Sequence, residues 1–100
     1  MKMFVISDNI DTFTGLKLVG INGVILHEKE EIEKTLKNTI ADKSIGIIIV
    51  TKGIVELAKE IVDEIKLRNG LPLIVEISDR HGDYSSAEDI EKYINRSIGL

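Results

Sequence analysis

Residues 3–21, MFVISDNIDTFTGLKLVGI, decide the fold class. The apolar run 3–6 has the length and composition of a buried strand, and it stops at the polar turn 7–9. An amphipathic segment that contains Gly15 and Gly20 follows, which predicts a helix. A strand that passes through a polar turn into a helix is the repeating unit of α/β proteins, and that turn is where they commonly bind ligands.

The two glycines lie in the wrong place for a dinucleotide-binding turn. Such a turn has glycines between strand and helix, so that backbone N–H groups can approach a pyrophosphate. Gly15 and Gly20 fall inside or after the predicted helix, and no Lys-Ser or Lys-Thr pair follows directly. The stretch therefore predicts an α/β domain that is used for something other than catalysis.

Length and composition indicate one small domain and exclude several classes of protein. The 100 residues include no cysteine, which excludes disulfides, thiolate catalysis and cysteine metal sites. The net charge of −4 argues against a nucleic-acid binder, which would present a basic face. No segment resembles a signal peptide, and no apolar run approaches the roughly 20 residues of a membrane span. We expect a cytoplasmic protein without direct membrane insertion.

Four apolar runs, each followed by a helical pattern, predict the element order βαβαβαβα. The runs are residues 3–6, 23–26, 45–50 and 71–77. Three of them are continuous rather than alternating, as in parallel strands buried on both faces. Right-handed crossovers then predict an α/β fold with a four-stranded parallel sheet of order 2-1-3-4 and helices on both faces, similar to flavodoxins and receiver domains.

Apolar residues at helical spacing predict the later helices. In the second helix Ile32, Leu36 and Ile40 recur every four residues. A single third helix is predicted from the apolar stripe Ile54, Leu57, Ala58, Ile61 and Ile65. The last helix, 85–100, opens with a capping-box pattern at residues 85–88. We expect one domain, 1–100, with its core in residues 1–78.

Few residues are candidates for binding chemistry, and we predict no catalytic residue, metal or cofactor. Asp8 has only Asp11 near it, whereas a divalent cation needs several converging oxygens, so we expect the two aspartates to serve the turn and cap the first helix. His27 and His81 lack partners at zinc-ligand spacing. The segment 51–53, Thr-Lys-Gly, begins a helix, but its single glycine favours a solvated lysine over a phosphate site.

The first predicted helix has an unusual surface. Residues 16–21 are apolar or glycine except for Lys17. An apolar surface on a small domain faces either its own sheet or a partner. Gly15 and Gly20 would permit close approach of another backbone. Packing on the chain's own sheet accounts for some of these residues, and we expect the others to contact a partner.

Three stretches of the chain match motifs of one known family. Residues 12–21, TFTGLKLVGI, fit the pattern T-x-x-G-[FL]-[KR]-L-x-G-[IV]. Residues 46–51 and the helix after them are similar to the family's third strand and helix. Residues 71–77, LPLIVEI, fit L/Y-P-x-I-x-E-I-P, with Ser78 where the family usually has proline. Taken in this order, the stretches resemble the F subunit of V-type and A-type rotary ATPases over nearly the whole chain.

The resemblance implies a non-catalytic subunit in the central rotor stalk of a proton- or sodium-translocating ATPase or ATP synthase. Such a subunit binds the coiled-coil D subunit, while ATP hydrolysis occurs on the A and B subunits. Its mobile C-terminal helix, 85–100 by position, would modulate coupling and contact the A/B hexamer transiently, on the cytoplasmic side of the membrane. The residues expected to serve partner binding or assembly are Gly15, Leu16, Leu18, Gly20, Ile21, Arg80, Tyr84, Ile90 and Ile94.

Two alternatives remain open from the residues alone. A degenerate receiver-like signalling domain is suggested by the fold and by Asp8, although the third strand ends at Thr51 without a carboxylate that could accept phosphate. A small-ligand-binding domain would use the carboxyl ends of the strands, near Asp8, Thr51 and Ser78, because open α/β sheets bind ligands there.

Overall fold

The structure, a computed structural model, describes residues 1–78. The predicted element order is confirmed through the fourth strand, and the strand bounds differ from the predicted runs by at most two residues. The predicted last helix, 85–100, lies outside the described residues. The elements are β1 Lys2–Ser7, α1 Ile10–Leu18, β2 Asn22–Ile25, α2 Lys29–Ala41, β3 Ile45–Thr51, α3 Lys52–Leu57, α4 Lys59–Leu67 and β4 Leu73–Ile77.

The four strands form one parallel sheet in the predicted order β2-β1-β3-β4. On its two sides, β1 pairs Val5 with Gly23 of β2 and with Ile49 of β3. The outer strand β4 pairs with β3, where Val75 lies opposite Ile49. Since the strands are parallel and β1 is next to β3, the residues that follow these two strands meet at one edge of the sheet.

Helices cover both faces of the sheet, as predicted. Ile6 and Val50 face a cluster formed by α2, α3 and α4. Val5 faces the other side, where Leu16 of α1 packs against it. Successive residues of a strand point to opposite faces, so neighbours such as Val5 and Ile6 belong to different clusters. Within residues 1–78, no helix is long and apolar enough to cross a membrane.

The predicted apolar stripe of α2 faces the core. Ile32 and Leu36 are fully buried, and Ile40 is partly buried against the same cluster. Glu30 and Glu31 lie in the first turn, where carboxylates interact favourably with the positive end of the helix dipole. Burial of one face and a favourable dipole interaction both stabilise this helix.

The helix predicted after β3 is interrupted at Ala58, so the prediction of one continuous helix is wrong. The backbone angles of Ala58, φ −132° and ψ 41°, lie outside the helical region and separate α3 from α4. The Ala58 N–H still donates to the Ile54 carbonyl at 3.0 Å, and the Ala58 carbonyl accepts from the Val62 N–H at 3.1 Å. The helix is therefore interrupted at one residue while these two hydrogen bonds are kept. Leu57, predicted in the buried stripe, is 41% exposed.

Candidate functional site

The carboxyl edge of the sheet is the place where this fold would bind a ligand. β1 ends at Ser7 and β3 ends at Thr51, and both side chains are fully buried. Asp8 and Asn9 follow β1 and are half-buried. The structure therefore brings together the predicted candidates Asp8 and Thr51, and the bonds of these polar groups determine whether any of them is free for a ligand.

Ser7 and Asn9 are used to build the turn. The Ser7 hydroxyl donates to the Asn9 carbonyl at 2.7 Å and accepts from the Asn9 N–H at 2.9 Å. The Asn9 side-chain oxygen accepts from the Thr12 N–H at 3.0 Å, which makes Asn9 the N-cap of α1. The prediction that Asp8 and Asp11 cap this helix is wrong, because Asn9 occupies the cap position and Asp11 lies exposed in the first turn.

Asp8 is bonded to Thr51, which is 43 residues away along the chain. The Thr51 hydroxyl donates to Asp8 Oδ1 at 2.6 Å and accepts from the Asp8 N–H at 3.2 Å. A hydroxyl-to-carboxylate distance this short is typical of a charge-assisted hydrogen bond. The two bonds fasten the end of β1 to the end of β3 and engage the Thr51 hydroxyl as both donor and acceptor.

The Asp8 carboxylate also fills the space beside residues 51–53, which was a candidate phosphate site. We call this space the corner. A Cβ added at Gly53 would overlap this carboxylate, so Asp8 lies directly against the start of α3. Any larger residue at position 53 would force the Asp8 carboxylate to move, so glycine permits this close approach. A phosphate beside the segment 51–53 would meet a like charge at short range, which is unfavourable. The corner is thus occupied by the chain's own anion.

The described part of the chain offers no obvious metal site. Within residues 1–78, no three histidine, aspartate or glutamate side chains lie together in a group that could hold a metal. Over the same residues, every buried side-chain nitrogen or oxygen has a hydrogen-bond partner. His27 is exposed after β2, Ser78 has an interaction partner, and His81 lies outside the described residues.

The arrangement at Thr51 weighs against a receiver-like function. In a receiver domain, the residue at the end of the third strand is the aspartate that accepts the phosphoryl group. Here that residue is a threonine, and its hydroxyl is hydrogen-bonded to Asp8. The acidic residue that would hold a magnesium ion is thereby bonded to the residue that stands in the acceptor's place.

Leu16 and Ile21 belong to the chain's own core, although both were predicted to serve assembly. Leu16 is 1% exposed, and Ile21 packs partly buried against the same cluster. Leu18, from the same prediction, is 82% exposed and is therefore available to a partner. Gly15 lies half-buried within α1. The remaining predicted residues, Arg80, Tyr84, Ile90 and Ile94, lie outside the described residues.

Gly20 ends α1, and its conformation explains the glycine. Its φ is +92°, in the left-handed region that favours glycine. The Gly20 N–H donates to the Lys17 carbonyl at 3.0 Å, and the Ile21 N–H donates to the Leu16 carbonyl at 3.0 Å. These are the two bonds of a Schellman C-cap. A Cβ added at Gly20 would meet nothing within 4 Å, so close packing within this chain is not the reason for the glycine.

Ile10 is an exposed apolar residue that was not predicted to serve assembly. It is the first residue of α1 and is 66% exposed. Ile10 and Leu18 are eight positions apart, so they lie on the same side of the helix. Together we call them the outer face of α1. On the same helix the Lys17 ammonium lies 5.6 Å from the centre of the Phe13 ring, a cation–π contact. The helical spacing to Leu18 was the signal in the sequence that identifies Ile10.

The described residues thus define a small α/β protein. The polar groups of the turn after its first strand are hydrogen-bonded within the chain and stabilise the fold. Residues 3–94 match the family model of the ATP synthase (F/14-kDa) subunit. The F subunit of the A-type ATP synthase of Methanothermobacter thermautotrophicus is 36% identical over 92 residues, which are 90% of this chain and 86% of that protein. The corresponding F subunit of Methanocaldococcus jannaschii is 32% identical over 101 aligned positions, covering 100% and 97% of the two chains.

A third relative, the F subunit of the A-type ATP synthase of Thermococcus sibiricus, is 27% identical over 105 aligned positions, covering 100% and 96% of the two chains. The chain belongs to the family of ATP synthase (F/14-kDa) subunits. The resemblance found from three motifs is confirmed. Members of this family are accessory subunits, so the protein is not the catalytic one.

Proposed function

We propose that the protein is a non-catalytic subunit of the central rotor stalk of an A-type ATP synthase, where it binds the coiled-coil D subunit. The match of residues 3–94 to the family model is the observation that carries this proposal. The filled corner at Asp8, Thr51 and Gly53 supports it, because the site of ligand binding in this fold serves as a structural joint. Synthesis and hydrolysis of ATP would then take place on the A and B subunits.

We assign the outer face of α1 to the contact with the D subunit. Ile10 and Leu18 expose large apolar side chains on one side of a short helix. That helix is held at both ends, by the Asn9 side chain at its start and by the C-cap at Gly20. A fixed helix needs little ordering on binding, which lowers the entropic cost of association. A coiled coil with an apolar stripe would cover this face.

We assign the modulation of coupling to residues 85–100, which lie outside the described residues. In this segment Ala87, Ile90, Ile94 and Ile98 have the spacing of one apolar helix face. The segment would reach the A/B hexamer transiently, and the protein would work peripherally on the cytoplasmic side of the membrane. Truncation after residue 84 should change the rate of ATP hydrolysis by the assembled complex and leave the protein bound to the D subunit.

The test of the stalk assignment is co-expression with the D subunit and then size-exclusion chromatography. The wild-type chain should co-elute with the D subunit at several salt concentrations, because the proposed contact is mainly apolar. Failure to co-elute at all of them would refute D-subunit binding. This outcome would leave the family membership intact, so the experiment tests the partner independently of the family.

The test of the surface is a matched pair of leucine substitutions. Leu18→Glu places a charge on the outer face of α1, whereas Leu67→Glu places one at the end of α4, on the other side of the sheet, where Leu67 is 85% exposed. Thermal denaturation of each isolated variant first shows that it is folded. We expect Leu18→Glu to lose co-elution and Leu67→Glu to retain it. If both retain it, the outer face of α1 is not the contact.

A further inference from the structure

Two Asn-Gly pairs in residues 1–78 lie in different backbone settings. Asn22, which is exposed, and Gly23 begin β2, an outer strand that pairs with β1. Asn69 and Gly70 lie between α4 and β4, outside any helix or strand. Asn-Gly is the pair most prone to intramolecular attack on the asparagine side chain, because glycine has no Cβ to shield its backbone nitrogen. The two pairs therefore allow the effect of the fold on this chemistry to be compared within one molecule.

The reaction converts asparagine into an acid without an enzyme. The backbone nitrogen of the glycine loses its proton and bonds to Cγ of the asparagine. The bond from Cγ to Nδ2 breaks, and ammonia leaves with a proton, which closes a five-membered succinimide. Water then adds to either ring carbonyl and opens the ring to aspartate or to isoaspartate, in which the main chain runs through the side chain.

The segment around Asn69 is free to reach the cyclising geometry. The last backbone hydrogen bond at the end of α4 is donated by the Arg68 N–H to the Ile65 carbonyl at 3.2 Å. Beyond it, the described chain shows no backbone hydrogen bond in residues 69–71. Asn69 is exposed, and a Cβ added at Gly70 would meet nothing within 4 Å. Neither a backbone hydrogen bond of the described residues nor a packed neighbour at Gly70 therefore opposes rotation of this peptide towards the cyclising geometry.

The segment around Asn22 is held in a geometry that opposes ring closure. Asn22 pairs with Phe4 and Gly23 pairs with Val5 in the parallel ladder between β2 and β1. A Cβ added at Gly23 would overlap the Val5 carbonyl, so the backbones are in close contact there. In an extended strand, the Cβ and the following nitrogen point apart about the Cα–C bond. Ring closure would need a rotation that breaks the ladder.

We infer that Asn69 is a site of spontaneous conversion to aspartate and isoaspartate in the folded protein, and that the fold protects Asn22. The product carries one more negative charge than the net −4 of the unmodified chain at pH 7. The new carboxylate stands next to Arg68, and the isoaspartate form adds a backbone carbon between α4 and β4. The modification thus alters charge and chain length at one defined connection.

Peptide mapping of the aged full-length protein tests this inference. Tryptic peptides 18–29 and 69–80 each contain one of the two pairs. After incubation of the folded chain at mildly alkaline pH, peptide 69–80 should show the mass increase of an amide-to-acid conversion several-fold faster than peptide 18–29. A sample taken at time zero corrects for conversion during digestion.

A parallel incubation in concentrated urea provides the internal reference. Without the fold, the two pairs should react at similar rates, so the ratio of folded to unfolded rate measures protection at each site. We expect a ratio near unity for Asn69 and a much smaller one for Asn22. Asn69→Gln should abolish conversion in peptide 69–80 and leave peptide 18–29 unchanged. Equal protection at the two sites, faster reaction at Asn22, or no conversion of Asn69 would each overturn the inference.

Discussion

The hydroxyl of Thr51 donates to the carboxylate of Asp8 at 2.6 Å and accepts from the Asp8 amide at 3.2 Å. This pair joins the carboxyl ends of β3 and β1, the place where an open α/β sheet would bind a ligand. Gly53 lets the same carboxylate lie against the start of α3. The sequence of this polar turn is typical of an active site, but in the structure the turn joins two strands.

Removal of the Thr51 hydroxyl should destabilise the fold. Thr51→Val keeps the shape of the side chain but leaves the Asp8 carboxylate and amide without this partner. An unsatisfied partly buried group costs about 1–3 kcal/mol, so the free energy of unfolding in urea should fall by about that amount. The control is Thr14→Val on the exposed side of α1, which should change it by less than about 0.5 kcal/mol. Equal stability of the two variants would show that the joint contributes nothing.

Substitution of Gly20 should act on stability through backbone conformation. At its φ of +92°, alanine is strained, and Gly20→Ala should cost about 1–2 kcal/mol in denaturant unfolding. Gly20→Asn should cost less, because asparagine tolerates the left-handed region better. If the two variants are equally destabilised, conformational strain is not the cause. A side-chain clash is not expected in either variant, since the space around the added Cβ is open.

Truncation of two leucines in α1, Leu16 and Leu18, should have very different effects on stability. Leu16→Ala removes a fully buried side chain and should lower the free energy of unfolding by about 2–5 kcal/mol. Leu18→Ala removes an exposed one and should change it by less than about 0.5 kcal/mol. Urea denaturation of the isolated chain measures both. A large loss for Leu18→Ala would mean that this side chain supports the fold and not a partner surface.

Acid should remove the contribution of Asp42 to stability. The Ser44 hydroxyl donates to Asp42 Oδ1 at 2.6 Å and the Ser44 N–H donates to it at 2.9 Å, and these bonds, with a smaller effect of Lys2, hold the pKa of Asp42 below its usual 3.8. A lowered pKa means that the stabilisation is complete above the ordinary value and is lost as the pH falls through the folded value.

The comparison of Asp42→Asn with wild type at several pH values checks this expectation. The difference in free energy of unfolding should be largest near neutral pH and should shrink as the pH falls below 3.8. Ser44→Ala should behave in the same way, and the double variant should be no worse than the more severe single variant, because one interaction is lost in all three. A difference that stays constant with pH would contradict the assignment.

The strands and their order were predictable because they depend on short-range patterns. Continuous apolar runs indicate buried parallel strands, and right-handed crossovers leave few possible orders. The break at Ala58 was not predictable in this way, since Ile54, Ala58 and Ile61 continue one buried stripe across it. The backbone angles of one residue interrupt the helix without changing the periodicity of its apolar positions.

The candidate site was predicted only in part. Asp8 and Thr51 were recognised as strand-end residues, but their mutual hydrogen bonds were not predicted. The cap of α1 was assigned to aspartates, although Asn9 makes it. Leu16 and Leu18 are both apolar and two positions apart, so composition alone did not separate the one in the core from the one at the surface.

The α/β class and the strand order were predictable from local periodicity and crossover handedness. The family and, through it, the accessory role were implied by the resemblance of three motifs to one family. The role of the polar turn and the exposure of each apolar residue depend instead on contacts between distant parts of the chain. Asp8 and Thr51 are 43 residues apart and meet only when β1 pairs with β3. In the same way, the sheet buries one side of α1 and leaves Ile10 and Leu18 in solvent.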